Sequence, residues 1–356
     1  MVTEEAGAAG VLSNRDLSEL LALRAEEVEG QRQRAYRRAA RAAMYWPDEV
    51  AVMVDQDRPL TELHGIGPRL AGRIRAWLED PPEVPEPPPA RAGFMSFAHA
   101  REVVAAHPEW ERELRGDLQM HSHYSDGRVP IEEMAEAAAH LGHEYVAITD
   151  HSVGLRIAGG MDAADLARQS AEIDALNARL GTDSFRVLHS LEMNLDLDGR
   201  GDMEEVTPEL EIVVGSFHSK LRGTEDQTER YVRALRNPTF DILGHPRCRM
   251  FNSRLGLRAE WPIVFEAARK FGKAIEINAH PNRQDLNPEV LSLAAGSETL
   301  FSIGTDAHAP GELEFVPLAL AAAIEAGLSR DQIVNYKPVE ELLAWAAQTR
   351  KEARGS

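Results

Sequence analysis

The sequence predicts an α/β fold, a closed or distorted barrel of seven parallel strands that follows a small all-α domain. Two observations predict the barrel: the seven strand patterns and the helical patterns between them. Strand patterns alternate with helical patterns from Arg115 to the end of the chain, and helical crossovers make such strands parallel. A third observation separates the domains, because residues 81–90, PPEVPEPPPA, are rich in proline and should form an extended, semi-rigid boundary.

Length and composition are those of a globular protein with more than one core. The chain has 356 residues, of which 43% are hydrophobic and 27% charged. No apolar run approaches the roughly 18 residues that a membrane helix needs, and the N-terminus lacks the basic and apolar regions of a signal peptide. The single cysteine, Cys248, excludes an internal disulfide and favours a reducing, cytoplasmic location.

The charge balance limits the partners that the whole surface can bind. A formal net charge of −19 argues against indiscriminate nucleic-acid binding, because phosphates would be repelled. Any contact with DNA or RNA must therefore be made by a local patch.

The predicted N-terminal domain covers residues 1–80, with an irregular start at 1–13 and a helical pattern over 14–44. Within that pattern four arginines recur at i, i+3, i+4 and i+7, which places them on one helical face; they are Arg34, Arg37, Arg38 and Arg41. Two interpretations stay open. The face is either a solvated surface that balances nearby acids, or a phosphate-binding surface, because guanidinium forks suit phosphate oxygens.

A glycine turn follows at Leu60–Ile74, where the pattern indicates two helices joined by Gly65-Ile66-Gly67 and followed by Arg69. Glycines let backbone amides approach an anion, and a helix N-terminus favours negative charge. The segment resembles the helix-hairpin-helix motif that binds DNA backbone, although a Gly-x-Gly turn could also simply close a helical hairpin.

Residues 81–113 are predicted to be the proline-rich linker and a helical lead-in, and residues 114–350 the barrel. Its strand patterns cover residues 115–121, 145–150, 185–194, 211–219, 241–245, 274–278 and 300–305. Helices are predicted between them at 130–141, 162–180, 227–236, 261–272 and 315–327. Active sites of parallel barrels lie at the C-terminal ends of the strands.

Six of the seven strands end in histidine, aspartate or glutamate, which core packing does not require. Capping or solvated loops could explain two or three of these residues. The full set is His121, Asp126, Asp150, His151, Glu192, His218, His245, Asp306 and His308. It exceeds the needs of one tetrahedral zinc. Two or three divalent ions about 3.5–4 Å apart fit better and suit phosphoryl chemistry, and manganese, zinc and iron all remain candidates.

The ordered motifs DLQMHSHYSDG, AITDHS, LEMN, FHSK, LGHP, EINAHPNRQDL and GTDAH resemble the PHP (polymerase and histidinol phosphatase) domain over residues 115–345. The resemblance implies a distorted seven-stranded barrel, a trinuclear metal centre and phosphoesterase activity. Residues 14–80 also resemble, through RQRAYRRAARA and LHGIGPRLAGRI, the N-terminal domain of bacterial family X DNA polymerases. No segment long enough for a polymerase palm lies between the two parts, so we do not expect polymerisation.

Carried over residue by residue, the resemblance implies three sets of metal ligands around a metal-bound hydroxide that attacks phosphorus. The sets are His121, Glu192 and Asp306; Asp126, His151 and His308; and Glu192, His218 and His245. Much of the family has histidine where this chain has Gln119, so the first site is expected to be weaker or completed by water. His123 is assigned to the rim, and Asp150 is expected to orient His151.

Three cations beside the strand ends are candidates for holding the substrate phosphate, and each could equally pair with a surface acid; they are Arg156, Lys220 and Arg249. No lysine precedes Lys220. Because a Schiff-base lyase needs a nucleophilic lysine, the N-terminal domain should bind DNA without cutting it.

The sequence therefore predicts a metal-dependent hydrolase that acts on phosphate esters, with DNA ends as the favoured substrate through 3′-5′ exonuclease or end-processing phosphatase activity. One alternative is a small-molecule phosphatase of the histidinol-phosphate or nucleotide type. Another is a non-catalytic DNA-binding module whose metal site is structural.

Overall fold

The computed structural model describes residues 11–180 and 185–353, and the expectations for residues 1–10 lie outside that part of the chain. The chain divides into two units, with the boundary between Ala105 and Ala106. The predicted linker and lead-in at 81–113 thus fall on both sides of this boundary.

The first unit is all-α in its regular structure. Its helices are α1 (Asn14–Glu26), α2 (Gly30–Ala43), α3 (Val50–Asp55), α4 (Pro68–Glu79) and α5 (Phe97–Ala106). Ser13 and Asp16 cap the start of α1 with reciprocal hydrogen bonds, which satisfy backbone amides that have no helical partner. One core joins α1, α2, α3 and α4 around the buried side chains of Leu17, Trp46 and Ile74.

The proline-rich segment belongs to the first unit and does not behave as a free spacer. Val84 packs against the core of that unit, and the guanidinium of Arg91 lies 2.7 Å from the buried carboxylate of Glu19. Prolines keep the segment extended, while these contacts hold it on the helices.

The second unit contains the seven strands and the remaining helices. The strands are β1 (Gly116–Met120), β2 (Tyr145–Ile148), β3 (Arg186–Leu195), β4 (Ile212–Phe217), β5 (Ile242–Leu243), β6 (Ala274–Asn278) and β7 (Leu300–Gly304). The helices are α6 (Pro108–Arg112), α7 (Ile131–His140), α8 (Ala163–Leu180), α9 (Thr228–Leu235), α10 (Trp261–Lys270), α11 (Pro288–Leu291), α12 (Val316–Glu325) and α13 (Val339–Ala353).

The strands form one parallel sheet in the order β1 to β7, with the register Tyr145↔Arg186 between β2 and β3 as an example. Two backbone hydrogen bonds connect the end of β1 to the segment after β7. The His121 amide donates to the Ala307 carbonyl at 2.8 Å, and the Asp306 amide donates to the Gln119 carbonyl at 2.8 Å. The sheet is thus a nearly closed barrel, and the predicted fold class is confirmed.

The barrel is irregular, because β3 has 10 residues and β5 only 2. Its strands are apolar and buried along most of their length, as expected for a parallel sheet covered by helices. Because all seven strands run in the same direction, their C-terminal ends meet at one mouth, which brings the predicted ligands to the same end of the barrel. No helix in the described ranges is long and apolar enough to cross a bilayer.

Candidate metal centre

The barrel mouth brings all eight predicted metal ligands into one connected network of contacts. They are His121, Asp126, His151, Glu192, His218, His245, Asp306 and His308. Each follows or ends a strand except Glu192, which lies within β3 and faces the interior with no exposed surface. The parallel register therefore places these side chains together.

Glu192 is the centre of this network, because four imidazoles contact its two carboxylate oxygens. Oε1 lies 2.9 Å from Nε2 of His245 and 3.3 Å from Nε2 of His218. Oε2 lies 3.1 Å from Nδ1 of His151 and 3.5 Å from Nε2 of His121. Burial alone would raise the pKa of Glu192, but the surrounding histidines hold that pKa well below its usual range. The carboxylate is thus ionised and able to bridge two cations.

Asp306 and Asp126 supply the other two carboxylates. Oδ1 of Asp306 lies 3.2 Å from Nε2 of His121. Oδ1 of Asp126 lies 3.3 Å from Nε2 of His308 and 3.6 Å from Nε2 of His151. Although burial opposes protonation, the contact with Asp126 raises the pKa of His308 to about 9. The carboxylates around His308 thus concentrate negative charge here, which divalent ions would balance.

Close packing of ring nitrogens and carboxylate oxygens yields two groups in which the ligand atoms lie within 4.8 Å of one another. The first contains His121, Asp126, His151 and His308, and the second contains His151, Glu192 and His218. These two groups differ from the three sets expected from the sequence. His151 belongs to both groups, and the ring of His121 stacks between those of His151 and His308 at ring-centroid distances of 4.5 and 4.4 Å. The three-set assignment stays a prediction.

The donor set fits divalent ions. Two buried ring nitrogens, Nδ1 of His151 and Nε2 of His218, face Glu192 at 3.1 and 3.3 Å but have no hydrogen-bond partner among the described residues. Buried polar atoms are almost always satisfied in folded proteins, and imidazole with carboxylate is the usual ligand combination for zinc, manganese and iron. A bound cation accounts for both the unpartnered nitrogens and the converging carboxylates.

Gln119 lies inside the barrel but does not direct its oxygen to the carboxylates. Its Nε2 donates a hydrogen bond to Oε2 of Glu192 at 2.9 Å, while Oε1 is buried without a partner. The amide would have to turn over to offer its oxygen to a cation beside Glu192. His123 is exposed and contacts the ring of Tyr124, outside both groups.

Asp150 was expected to orient His151, and the structure gives it another role. Its carboxylate accepts hydrogen bonds from the Ser122 amide at 2.8 Å, the Ser122 and Ser125 hydroxyls at 2.5 Å each, and Nε2 of Gln169 at 2.6 Å. None of these bonds involves the His151 ring. Asp150 therefore fixes the loop after β1, which begins at His121 and carries Asp126.

The residues predicted to contact phosphate or DNA differ in their exposure to solvent. Arg156 and Lys220 are exposed, whereas Arg249 is buried and its Nε donates to the Arg283 carbonyl at 2.9 Å. On the first unit the arginine face of α2 is exposed at Arg34, Arg37, Arg38 and Arg41. A short 3-10 turn, Leu60–Glu62, stands where a helix was predicted before the glycine turn. Within that turn Gly65 has φ of 83°, and Gly67 is the N-cap of α4. Arg69, in the first turn of α4, is exposed.

Three residues at the mouth were missed by the sequence reasoning. Nε of Arg283 lies 2.6 Å from Oδ2 of Asp306. Asn278 donates to the same Oδ2 at 3.3 Å and to Oε2 of Glu276 at 3.2 Å. Glu276 and Asn278 alternate on the buried strand β6, so they point to the same face. Two polar residues at alternating positions in a buried strand were the signal that could have revealed them.

Residues 117–280 match the PHP domain family. The DNA polymerase/3′-5′ exonuclease PolX of Bacillus subtilis is 37% identical over 235 residues, which cover 65% of this chain and 41% of PolX. The chain thus spans well under two thirds of that relative. A probable phosphatase of Caldanaerobacter subterraneus is 25% identical over 261 residues, which cover 68% of this chain and 95% of the phosphatase.

Among solved structures, the histidinol phosphate phosphatase of Lactococcus lactis, crystallised with zinc, L-histidinol and phosphate, matches with a TM-score of 0.42 and 17% identity. That match covers 67% of this chain and 94% of the phosphatase. Members of the PHP family are metal-dependent phosphoesterases, a class of hydrolase.

Proposed function

We propose, from the premise that residues 117–280 form a PHP domain, that the barrel hydrolyses phosphate esters with two or three divalent ions bound at its mouth. The observation that carries this proposal is the convergence of four imidazoles on the fully buried carboxylate of Glu192. Such a site is costly unless cations compensate it. Manganese, zinc and iron all suit these ligands.

Different side chains of the barrel would have different roles in such a reaction. Bound ions would polarise the phosphate ester and activate water for attack. Glu192 and Asp306 would hold the ions from the barrel interior, while Asp126 and His308 would hold them from the loop side. Lys220 and Arg156 are exposed near the strand ends and would bind phosphate oxygens, as would Arg249 if its guanidinium is reached through the mouth.

The finer proposal is that the natural substrate is a DNA end, attacked as a 3′-5′ exonuclease or an end-processing phosphatase. It is supported by the similarity to PolX and by the exposed arginine face of α2 with the glycine turn before α4. The single cysteine, Cys248, is buried and free. Because a free cysteine agrees with a reducing compartment, we place the protein in the cytoplasm.

A small-molecule phosphatase is the second candidate, favoured by the probable phosphatases that match over most of their own length. The two candidates are separated by assaying the full chain with manganese on end-labelled DNA and on a panel of phosphomonoesters. Release of terminal nucleotides or phosphate from DNA supports the first. Turnover confined to small monoesters supports the small-molecule phosphatase. No turnover of either substrate would favour the alternative of a non-catalytic DNA-binding module.

A further inference from the structure

One side of the barrel mouth carries a cluster of arginines, of which only Arg283 contacts a predicted metal ligand. We call it the arginine side of the mouth and define it by Arg222 after β4, Arg247 and Arg254 after β5, and Arg283 after β6. The residues are neighbours. Nη1 of Arg222 lies 3.5 Å from the Ser253 carbonyl, Arg254 donates to the Cys248 carbonyl, and Arg249 connects the loop to the Arg283 carbonyl.

Three of the four arginines of this surface have no carboxylate partner among the described residues, and only Arg283 is ion-paired, with Asp306. Within residues 11–180 and 185–353, Arg222, Arg247 and Arg254 form hydrogen bonds only to carbonyl or amide oxygens and no ion pair with a carboxylate. The buried Asp285 contributes one negative charge nearby.

Several other arginines of the same barrel are paired with carboxylates. Arg115 lies 2.6 Å from Glu144 and Arg269 lies 2.6 Å from Glu266. In a chain whose net charge is −19, the group of three arginines without an ion pair among the described residues, Arg222, Arg247 and Arg254, is a local concentration of positive charge. It costs repulsion among like charges, which a bound anion would relieve.

The arginine side is continuous with the metal centre. The loop after β5 includes the proposed ligand His245. At the inner end of the arginine side, Nε of Arg283 lies 2.6 Å from Oδ2 of Asp306, another proposed metal ligand. The outermost members are Arg254, which is half-buried, and Arg222, which is exposed. They lie on the β5 and β4 loops, where their hydrogen bonds go to the Cys248 and Ser253 carbonyls, and among the described residues no hydrogen bond or ion pair joins them to either group of candidate metal ligands. A small monoester has one phosphate and occupies the centre alone.

We propose that the arginine side of the mouth binds the phosphates that flank the scissile one in a polynucleotide. The barrel then selects a nucleic-acid strand over a small phosphomonoester by its own contacts, in addition to any DNA binding by the first unit. This inference rests on the proposed phosphoesterase function and specifies its substrate class. Guanidinium forks match phosphate oxygens in geometry and charge, and unpaired arginines keep that capacity.

The test uses the full chain with R222Q, R254Q and the double variant, and R269Q as a control that removes one arginine at the C-terminal end of α10. Arg222 is exposed, so R222Q creates no cavity and leaves folding intact even if R254Q does not. Hydrolysis of a labelled single-stranded oligonucleotide and of bis-p-nitrophenyl phosphate is measured with manganese at several salt concentrations.

We expect kcat/KM for the oligonucleotide to fall about tenfold for each substitution. The slope of its logarithm against the logarithm of salt concentration should become shallower by about 0.7 for each lost phosphate contact. The small diester should be hydrolysed at the wild-type rate, and R269Q should change neither. Equal losses on both substrates, or an unchanged oligonucleotide rate in R222Q, would overturn the inference while leaving the phosphoesterase function intact.

Fluorescence anisotropy of the same oligonucleotide keeps the two claims separate. If the wild type hydrolyses neither substrate, the proposed function fails, and weaker, less salt-dependent binding by R222Q and R254Q would still support the arginine side as a nucleic-acid surface. Binding that matches the wild type in affinity and in salt slope would reject that surface as well.

Discussion

Nε of Arg283 lies 2.6 Å from Oδ2 of Asp306, so one oxygen of this carboxylate is held by a guanidinium while the other faces His121. Asn278 donates to the same Oδ2 at 3.3 Å. Burial would raise the pKa of Asp306, but Arg283 holds it well below its usual range. The carboxylate is thus fixed in charge and orientation before any ion binds.

The first prediction concerns this orientation. Replacing Arg283 with methionine should weaken metal binding by about 10- to 100-fold, the range typical for residues that orient a metal ligand. Metal content after dialysis against graded chelator concentrations, measured by inductively coupled plasma mass spectrometry, reports the change without relying on activity. Arg283→Lys should recover part of the affinity. Unchanged metal content in Arg283→Met would mean that Asp306 needs no such support.

The second prediction concerns Gln119, whose Nε2 donates to Glu192 at 2.9 Å and whose oxygen has no partner. Imidazole is a stronger ligand than an amide for zinc, manganese and iron. Gln119→His should therefore increase the metal retained per chain at a given chelator concentration. The exposed His123 offers the control, because His123→Gln should leave metal retention as in the wild type. Equal retention in Gln119→His and the wild type would contradict a weakened first site.

The third prediction concerns the arginine face of α2. In the full chain, replacing Arg34, Arg37 and Arg38 with glutamine should weaken DNA binding and reduce the salt slope by about 0.9 for each lost contact to duplex phosphate. Arg24→Gln serves as the control, since Arg24 of α1 is paired with Glu27, the residue that follows this helix. A salt slope equal to that of the wild type would assign the face to solvent and favour the small-molecule alternative.

The fourth prediction concerns the pH dependence of stability and lies away from the metal centre. His143, just before β2, is buried, and its Nε2 has no hydrogen-bond partner. Burial lowers the pKa of His143 to about 4 from 6.5. The unfolded chain therefore binds more protons than the folded chain between these pH values, so the contribution of His143 to stability is present above pH 6.5 and is lost as pH falls.

That difference in pKa corresponds to about 3 kcal/mol of unfolding free energy. His143→Leu should flatten the dependence of unfolding free energy on pH between 4 and 6.5 by up to about 1.4 kcal/mol for each pH unit. Urea denaturation followed by tryptophan fluorescence measures it, with the exposed His140→Leu as the control. A variant that is as sensitive to pH as the wild type would place the proton uptake elsewhere.

The fold and the convergence of the eight predicted ligands could be anticipated because both depend on patterns that the sequence displays. Apolar runs mark the strands, and residues such as His218 and His245 follow directly where those runs end. A parallel barrel then places the strand ends together without further information. The same logic did not assign Glu276, because Glu276 lies inside β6 and away from the strand's end, where only its alternation with Asn278 marks a shared face.

Partners that depend on long-range packing were beyond the reach of sequence reasoning. Asp150 adjoins His151 in the chain, yet its hydrogen bonds go to Ser122, Ser125 and Gln169, because the loop after β1 folds over the end of β2. The segment around Val84 reads as a spacer, yet it packs on the helical core. Both outcomes follow from tertiary contacts that override local composition.

The most direct test of the central claim is the hydrolysis of bis-p-nitrophenyl phosphate by the purified chain after chelation, followed by titration with manganese. If the network around Glu192 holds catalytic ions, chelation abolishes hydrolysis and manganese restores it in the wild type but not in His151→Ala. Hydrolysis that survives chelation, or that manganese restores equally in His151→Ala, would contradict a metal-dependent phosphoesterase at this mouth.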